Sequence, residues 1–174
     1  MPKYLISTRT GFIPNICTEN VSDSLSKDFI LFIDDFIYKD SIFYHKKINL
    51  RDLCNISRTK KIFLLFKSDK KKNKERVLIN KRGYLGINKE EYLRFVDILE
   101  PDYYQDYDTK IFCTSNNGDK IKICDPKTLE DFQKINLDDI DFVGTSFLND
   151  LVDKNEMLDI VDNKIEIKGV KKRN

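Results

Sequence analysis

The sequence predicts an α/β domain, with a compact α+β domain built on an antiparallel meander as the alternative. Three observations carry this prediction. Residues 82–105, RGYLGINKEEYLRFVDILEPDYYQ, read as turn, capped helix, sharp stop and strand. Residues 61–87 read as a succession of strands and turns leading into that helix. Asn117-Gly118 lies between the alternating runs KIFCT and KIKIC, a strong short-range hairpin signal.

Taken in order, residues 3–8 (KYLIST) alternate as a strand. Arg9-Thr10-Gly11 turns, and residues 12–23 read as irregular. Residues 29–38, FILFIDDFIY, are strongly apolar but broken by Asp34 and Asp35, which predicts a buried strand, a bend and a short helix. Residues 42–49 (IFYHKKIN) read as a strand and 51–56 as one helical turn. KIFLLFK (61–67) is the clearest buried strand. SDKKKNKE is a turn by composition, RVLIN (76–80) a second strand, and Lys81-Arg82-Gly83 a turn into YLGI. Asn88 can cap the helix that follows, with Glu91 completing a capping-box spacing and Ile87 and Tyr92 placed for a staple. Tyr92, Phe95, Val96 and Leu99 line one face, and Pro101 ends the helix at Glu100. Tyr103-Tyr104-Gln105 resumes as strand. Beyond the hairpin, Asp125 and Pro126 predict an N-cap and first helical position for PKTLEDFQKI. Residues 141–143 read as a strand, 144–146 as a turn and 147–152 as a short helix or loop. Residues 157–161 and 164–168 pair across Asp162-Asn163. A basic tail, 170–174, follows a single domain of residues 1–169.

The chain has 174 residues, 40% of them hydrophobic, enough for a buried core. No apolar run approaches the ~20 residues needed to span a bilayer, and MPKYLISTRTGF lacks the form of a secretion signal. Cys17, Cys54, Cys113 and Cys124 lie far apart with one histidine in the chain, which argues against a zinc site. Unpaired thiols in the reducing cytoplasm are expected. Net charge is +2, yet residues 60–82 concentrate Lys60, Lys61, Lys67, Lys70, Lys71, Lys72, Lys74, Arg76, Lys81 and Arg82 against Asp69 and Glu75. Residues 125–163 are acid-rich. Such asymmetry suits a polyanion or another charged partner, or a solvated lysine loop.

No catalytic constellation is visible. His45 sits in polar sequence without a nucleophile-elbow serine or cysteine. No P-loop or G-x-G-x-x-G occurs, and Gly83-x-x-Gly86 serves better as a turn pair than as a phosphate cradle. The pairs Asp34/Asp35, Asp106/Asp108 and Asp138/Asp139 are read as surface or turn residues, because catalysis needs carboxylates opposed across a substrate.

Three stretches resemble the tRNA-guanine (queuine) transglycosylases, above all their non-catalytic accessory subunit. YLISTRTGFIPNIC (4–17) is similar to the opening strand with its K/R-T-G turn, and residues 82–105 to the helix followed by L-x-P-D-aromatic-Q. DIDFVGTSFLNDLVDKNEMLDIVDNKIEIKG (139–169) is similar to the last barrel strand and the hairpin beyond it. The resemblance implies a reduced or partial (β/α)8 barrel and a role in exchanging guanine for queuine at the tRNA wobble position. The chain departs from the family in length, since a complete barrel takes ~250 residues. It also lacks the Cys-x-Cys-x-x-Cys zinc motif and the aspartate-bearing base-binding motif. The implied role is therefore a non-enzymatic accessory subunit, without metal or cofactor, that binds a catalytic transglycosylase subunit and helps hold tRNA. Neither Asp106 nor Asp108 matches the family's base-recognising motif. Lys70, Lys71, Lys72, Lys74 and Arg76 are the candidate phosphate contacts, acting through charge. The alternative is a small RNA-binding or scaffold domain unrelated to base exchange.

Overall fold

The computed structural model describes residues 3–7, 25–153, 156–161 and 164–169. The expected turn at 9–11, the irregular stretch 12–23, the turn at 162–163, Cys17 and the basic tail fall outside them. In chain order the strands and helices are β1 (Lys3–Ser7), β2 (Leu25–Phe32), α1 (Leu50–Leu53), β3 (Ile62–Leu65), β4 (Lys71–Lys72), β5 (Glu75–Asn80), β6 (Gly83–Ile87), α2 (Lys89–Leu99), β7 (Tyr103–Gln105), β8 (Phe112–Ser115), β9 (Lys120–Cys124), α3 (Leu129–Gln133), β10 (Phe142–Gly144), α4 (Phe147–Asp153), β11 (Glu156–Val161) and β12 (Lys164–Gly169).

Most of the local expectations correspond to elements. Asn88 caps α2 by accepting from Glu91 N at 2.8 Å. Tyr92, Phe95, Val96 and Leu99 form its buried face. Its last turn closes on Glu100 in the left-handed region, before Pro101. Every residue of β3 is buried, as an apolar run covered on both faces must be.

The (β/α)8-type barrel is not what the chain forms. Among the described residues the hydrogen-bonded strand order is β1-β10-β9-β8-β7-β3-β2, a closed, mixed seven-stranded barrel. The α-helices among the described residues are four and short, with α2 the longest at eleven residues. A parallel pair needs a crossover of a dozen or more residues. Residues 106–111, between β7 and β8, are too few for one, so β8 returns antiparallel to β7. The KIFLLFK strand also does not join the meander. As β3 it lies parallel between β2 and β7, while β4, β5 and β6 form a separate antiparallel sheet.

Two further elements differ from expectation. Residues 42–49 make a 3₁₀ turn (Ile42–Tyr44) and irregular chain, not a strand. Only Phe43 of the turn is buried, against Phe36, and His45-Lys46-Lys47 stay exposed. The cap of α3 is Thr128, whose hydroxyl accepts from Asp131 N at 3.1 Å. Asp125 does not cap it, because its carboxylate is engaged elsewhere.

The described chain divides into two compact units, residues 28–120 in one and residues 3–7, 25–27, 121–153, 156–161 and 164–169 in the other. In the first, α2 packs its apolar face toward Phe66 and Tyr107, with the Tyr92 ring 4.8 Å from Phe66 and 5.8 Å from Tyr107. Tyr92 Oη donates to Gln105 O, closing the helix onto β7. In the second, β1 pairs parallel with β10 and β10 with β9. Phe132 of α3 stacks on Phe147 of α4 at 4.4 Å, and β11 and β12 form an antiparallel hairpin. Among the described residues no helix is long and apolar enough to cross a membrane.

Candidate nucleic-acid interface

The lysine-rich segment is a structured ribbon. The composition of SDKKKNKE predicts only a turn, but Lys71 and Lys72 pair with Arg76 and Glu75 to form β4 against β5. Asn73 and Lys74 connect them with φ of 52° and 64°. Two successive left-handed residues are the signature of a type I′ turn, whose twist matches that of paired strands. At the other end, Lys81 and Arg82 turn the chain into β6 through Gly83, at φ 115°, where a side chain is strained.

The ribbon is anchored by polar groups. Asp34 is fully buried, and its carboxylate accepts from Lys67 N at 2.9 Å and from Ile79 N of β5 at 2.7 Å. Asn80 Nδ2 donates to Asp34 O at 3.0 Å. Burial raises the Asp34 pKa above its usual value, although the two amide bonds oppose the rise. Arg76 is 1% exposed. Its Nε donates to Tyr107 O at 2.9 Å and its Nη2 to Thr109 O at 2.7 Å, with the guanidinium over the Phe66 ring at 4.6 Å. Asp69 lies 3.5 Å from its Nη1. Arg76 thus holds the ribbon to the 107–109 turn and is separate from the exposed cations.

Lys70, Lys71, Lys72 and Lys74 are all exposed, as are Lys81 and Arg82. None of the four lysines forms an ion pair with a described carboxylate, and Asp69 is drawn toward Arg76 and Lys110. The Lys70 ammonium sits 5.5 Å from the centroid of Tyr84 on β6. Tyr84 is 73% exposed. Strand pairing places Tyr84 opposite Ile79, and Lys72 opposite Glu75. Side chains alternate between faces, so Lys72, Glu75, Ile79 and Tyr84 share one face of the sheet. Lys70, bonded through its carbonyl to Val77 N, joins that face. The Glu75 carboxylate lies over Gly86, where a Cβ would meet it at 2.8 Å. The sequence does not single out Tyr84, because its place near the lysines depends on cross-strand register.

Beside the β5–β6 turn lies a cleft of about 260 Å³ lined by Asp35, Phe36, Tyr38, Lys67, Asn80 and the Lys81-Arg82 turn. The Arg82 guanidinium covers the Tyr38 ring at 4.4 Å, and Lys67 Nζ donates to Asp35 Oδ1. The Asp34/Asp35 pair is therefore part of the anchor and the cleft wall, not a surface turn. Asp106 accepts from Thr114 Oγ1 with Lys120 at 3.5 Å, whereas exposed Asp108 pairs with Lys89 at 3.0 Å. Asp138 and Asp139 lie in an exposed 3₁₀ turn.

In the other unit, the Asp125 side chain is 6% exposed. It accepts from Ser7 Oγ at 3.1 Å, Ser146 N at 3.1 Å, Ser146 Oγ at 2.7 Å and Lys127 Nζ at 2.7 Å. Ser7 N and Thr145 Oγ1 complete the tie at 3.0 Å. The carboxylate's acceptor sites are taken up in joining the ends of β1, β9 and β10. Cys54, Cys113 and Cys124 are thiols without a disulfide, and burial raises the pKa of Cys54 and Cys113, which disfavours the reactive thiolate. No protein-family model matches the chain, and no curated protein sequence matches it.

Proposed function

We propose that this chain is a small RNA-binding domain acting by contact rather than catalysis, with the β4–β5–β6 sheet as its contact surface. One observation carries the reading: Lys70, Lys71, Lys72 and Lys74 stand exposed together on an anchored ribbon, without ion pairing to described carboxylates. A cation paired within its own protein has little to offer a phosphate; these lysines can displace the counterions condensed on a polyanion. The described carboxylates most deeply held, Asp34 and Asp125, accept structural hydrogen bonds, which supports binding over acid–base chemistry. Thiols at Cys54, Cys113 and Cys124 are in keeping with the reducing cytoplasm.

The test replaces Lys70, Lys71, Lys72 and Lys74 by Gln together. Affinity for RNA should fall and the plot of log K against log salt should flatten, by about 0.7 per lost phosphate contact on a single strand. An unchanged slope rejects the reading.

A second reading, the accessory subunit of a queuine tRNA-ribosyltransferase, is favoured by the order of the three resembling stretches, 4–17, 82–105 and 139–169. It loses the support of the family's barrel, since the strand order differs. In it the same lysines would help hold tRNA beside a catalytic subunit.

A further inference from the structure

The lysines account for attraction to any polyanion and say nothing about its form. Tyr84 adds that information. It is the most exposed of the large apolar side chains among the described residues, at 73%. An aromatic ring left in water forgoes the burial that ordinarily stabilises it. This one is held on a sheet, with the Lys70 ammonium over one side of its ring at 5.5 Å and Lys72 on the same face of the sheet. The neighbouring strand β5, to which its own strand is paired, is fixed through Asp34, Arg76 and Asn80, so the ring is presented by a pinned scaffold. Charge next to an exposed aromatic ring is the combination that holds an unpaired nucleotide: the lysine meets the phosphate and the ring stacks on the base. A duplex, whose bases are stacked on each other, has no base face to offer. Glu75, on the same face, is turned over Gly86.

We infer that the ligand of this surface is a single-stranded polynucleotide, with Tyr84 as the stacking platform for one base and Lys70 and Lys72 as the flanking phosphate contacts. The inference rests on the reading of this sheet as the RNA-binding surface, and names the form of RNA it takes. Tyr84→Ala removes the ring, and Tyr84→Phe keeps it without the hydroxyl. At such exposure both variants should fold, with thermal melts matching the parent.

Affinities of the full chain and both variants are measured for oligoadenylate, an RNA duplex of equal phosphate number, and polyphosphate. Tyr84→Ala should weaken oligoadenylate about tenfold, leaving the duplex and polyphosphate unchanged, and Tyr84→Phe should bind like the parent. If Tyr84→Ala leaves oligoadenylate unchanged, or weakens all three probes alike, the stacking role is overturned while the charge-based reading stands. If the parent binds none of the three, the RNA-binding reading falls and this inference with it.

Discussion

Asp34 and Arg76 look in the sequence like surface charges, one in a carboxylate pair and one in a basic cluster. Both are buried, and both do their work through backbone groups. Asp34 accepts two amides through its two oxygens, from Lys67 and Ile79. Asp34→Asn keeps the shape but turns one acceptor into a donor facing an N–H. The expected loss is about 1–3 kcal/mol in urea unfolding. The pH dependence has a definite sign. The folded-state pKa of Asp34 is raised above its ordinary 3.8 by burial. Its contribution to stability is therefore fully present below that ordinary value and declines as pH rises through the folded value. The advantage of the native chain over Asp34→Asn should thus be largest in acid and shrink toward neutrality. A gap that widens with pH would mean the amide bonds outweigh burial. Tyr84 is the complementary case: a large aromatic side chain on a strand stands in water.

At the level of elements, the features encoded by neighbours in sequence are the ones that can be read. Helix α2 has its cap, its buried face and its stop within thirteen residues, from Asn88 to Glu100. Asn88→Ala should cost about 1 kcal/mol, seen as a lower urea midpoint with an unchanged m-value. No loss at all would show that Lys89, Glu90 and Glu91 supply the start of the helix without the cap. The hairpin around Asn117-Gly118 is equally local, with Gly118 at φ 86°. The elements that escaped were decided by distant partners. Residues 42–49 have a strand's composition and acquire no strand to pair with. Asp125 has the composition of a cap, but Ser7, Ser146 and Lys127 supply stronger partners for its carboxylate. SDKKKNKE hides β4, because two exposed lysines show no apolar alternation and become a strand only against β5.

For the molecule as a whole, the question is whether it works alone on RNA or beside a catalytic subunit. The two readings divide in one experiment: mixing the purified chain with a catalytic queuine tRNA-ribosyltransferase subunit from the same source. If the RNA-binding reading holds, the chain should run apart from that subunit on size exclusion and bind RNA by itself. A stable one-to-one complex would favour the accessory role. What the sequence by itself determined was local: the capped helix, the glycine and asparagine turns, the strands buried on both faces, and a surplus of positive charge between residues 60 and 82. Each follows from the intrinsic preferences and spacing of adjacent residues. What only the tertiary structure decided was which strand lies beside which, and hence which face each side chain occupies. Nothing inside KIFLLFK specifies β2 and β7 as its neighbours rather than β5. Nothing inside RGYLG specifies that Tyr84 stands with Lys70 and Lys72, or inside KERVL that Arg76 turns inward. Those outcomes depend on hydrogen bonds between segments far apart in the chain, and a shift of one residue in pairing moves every side chain of a strand to its other face.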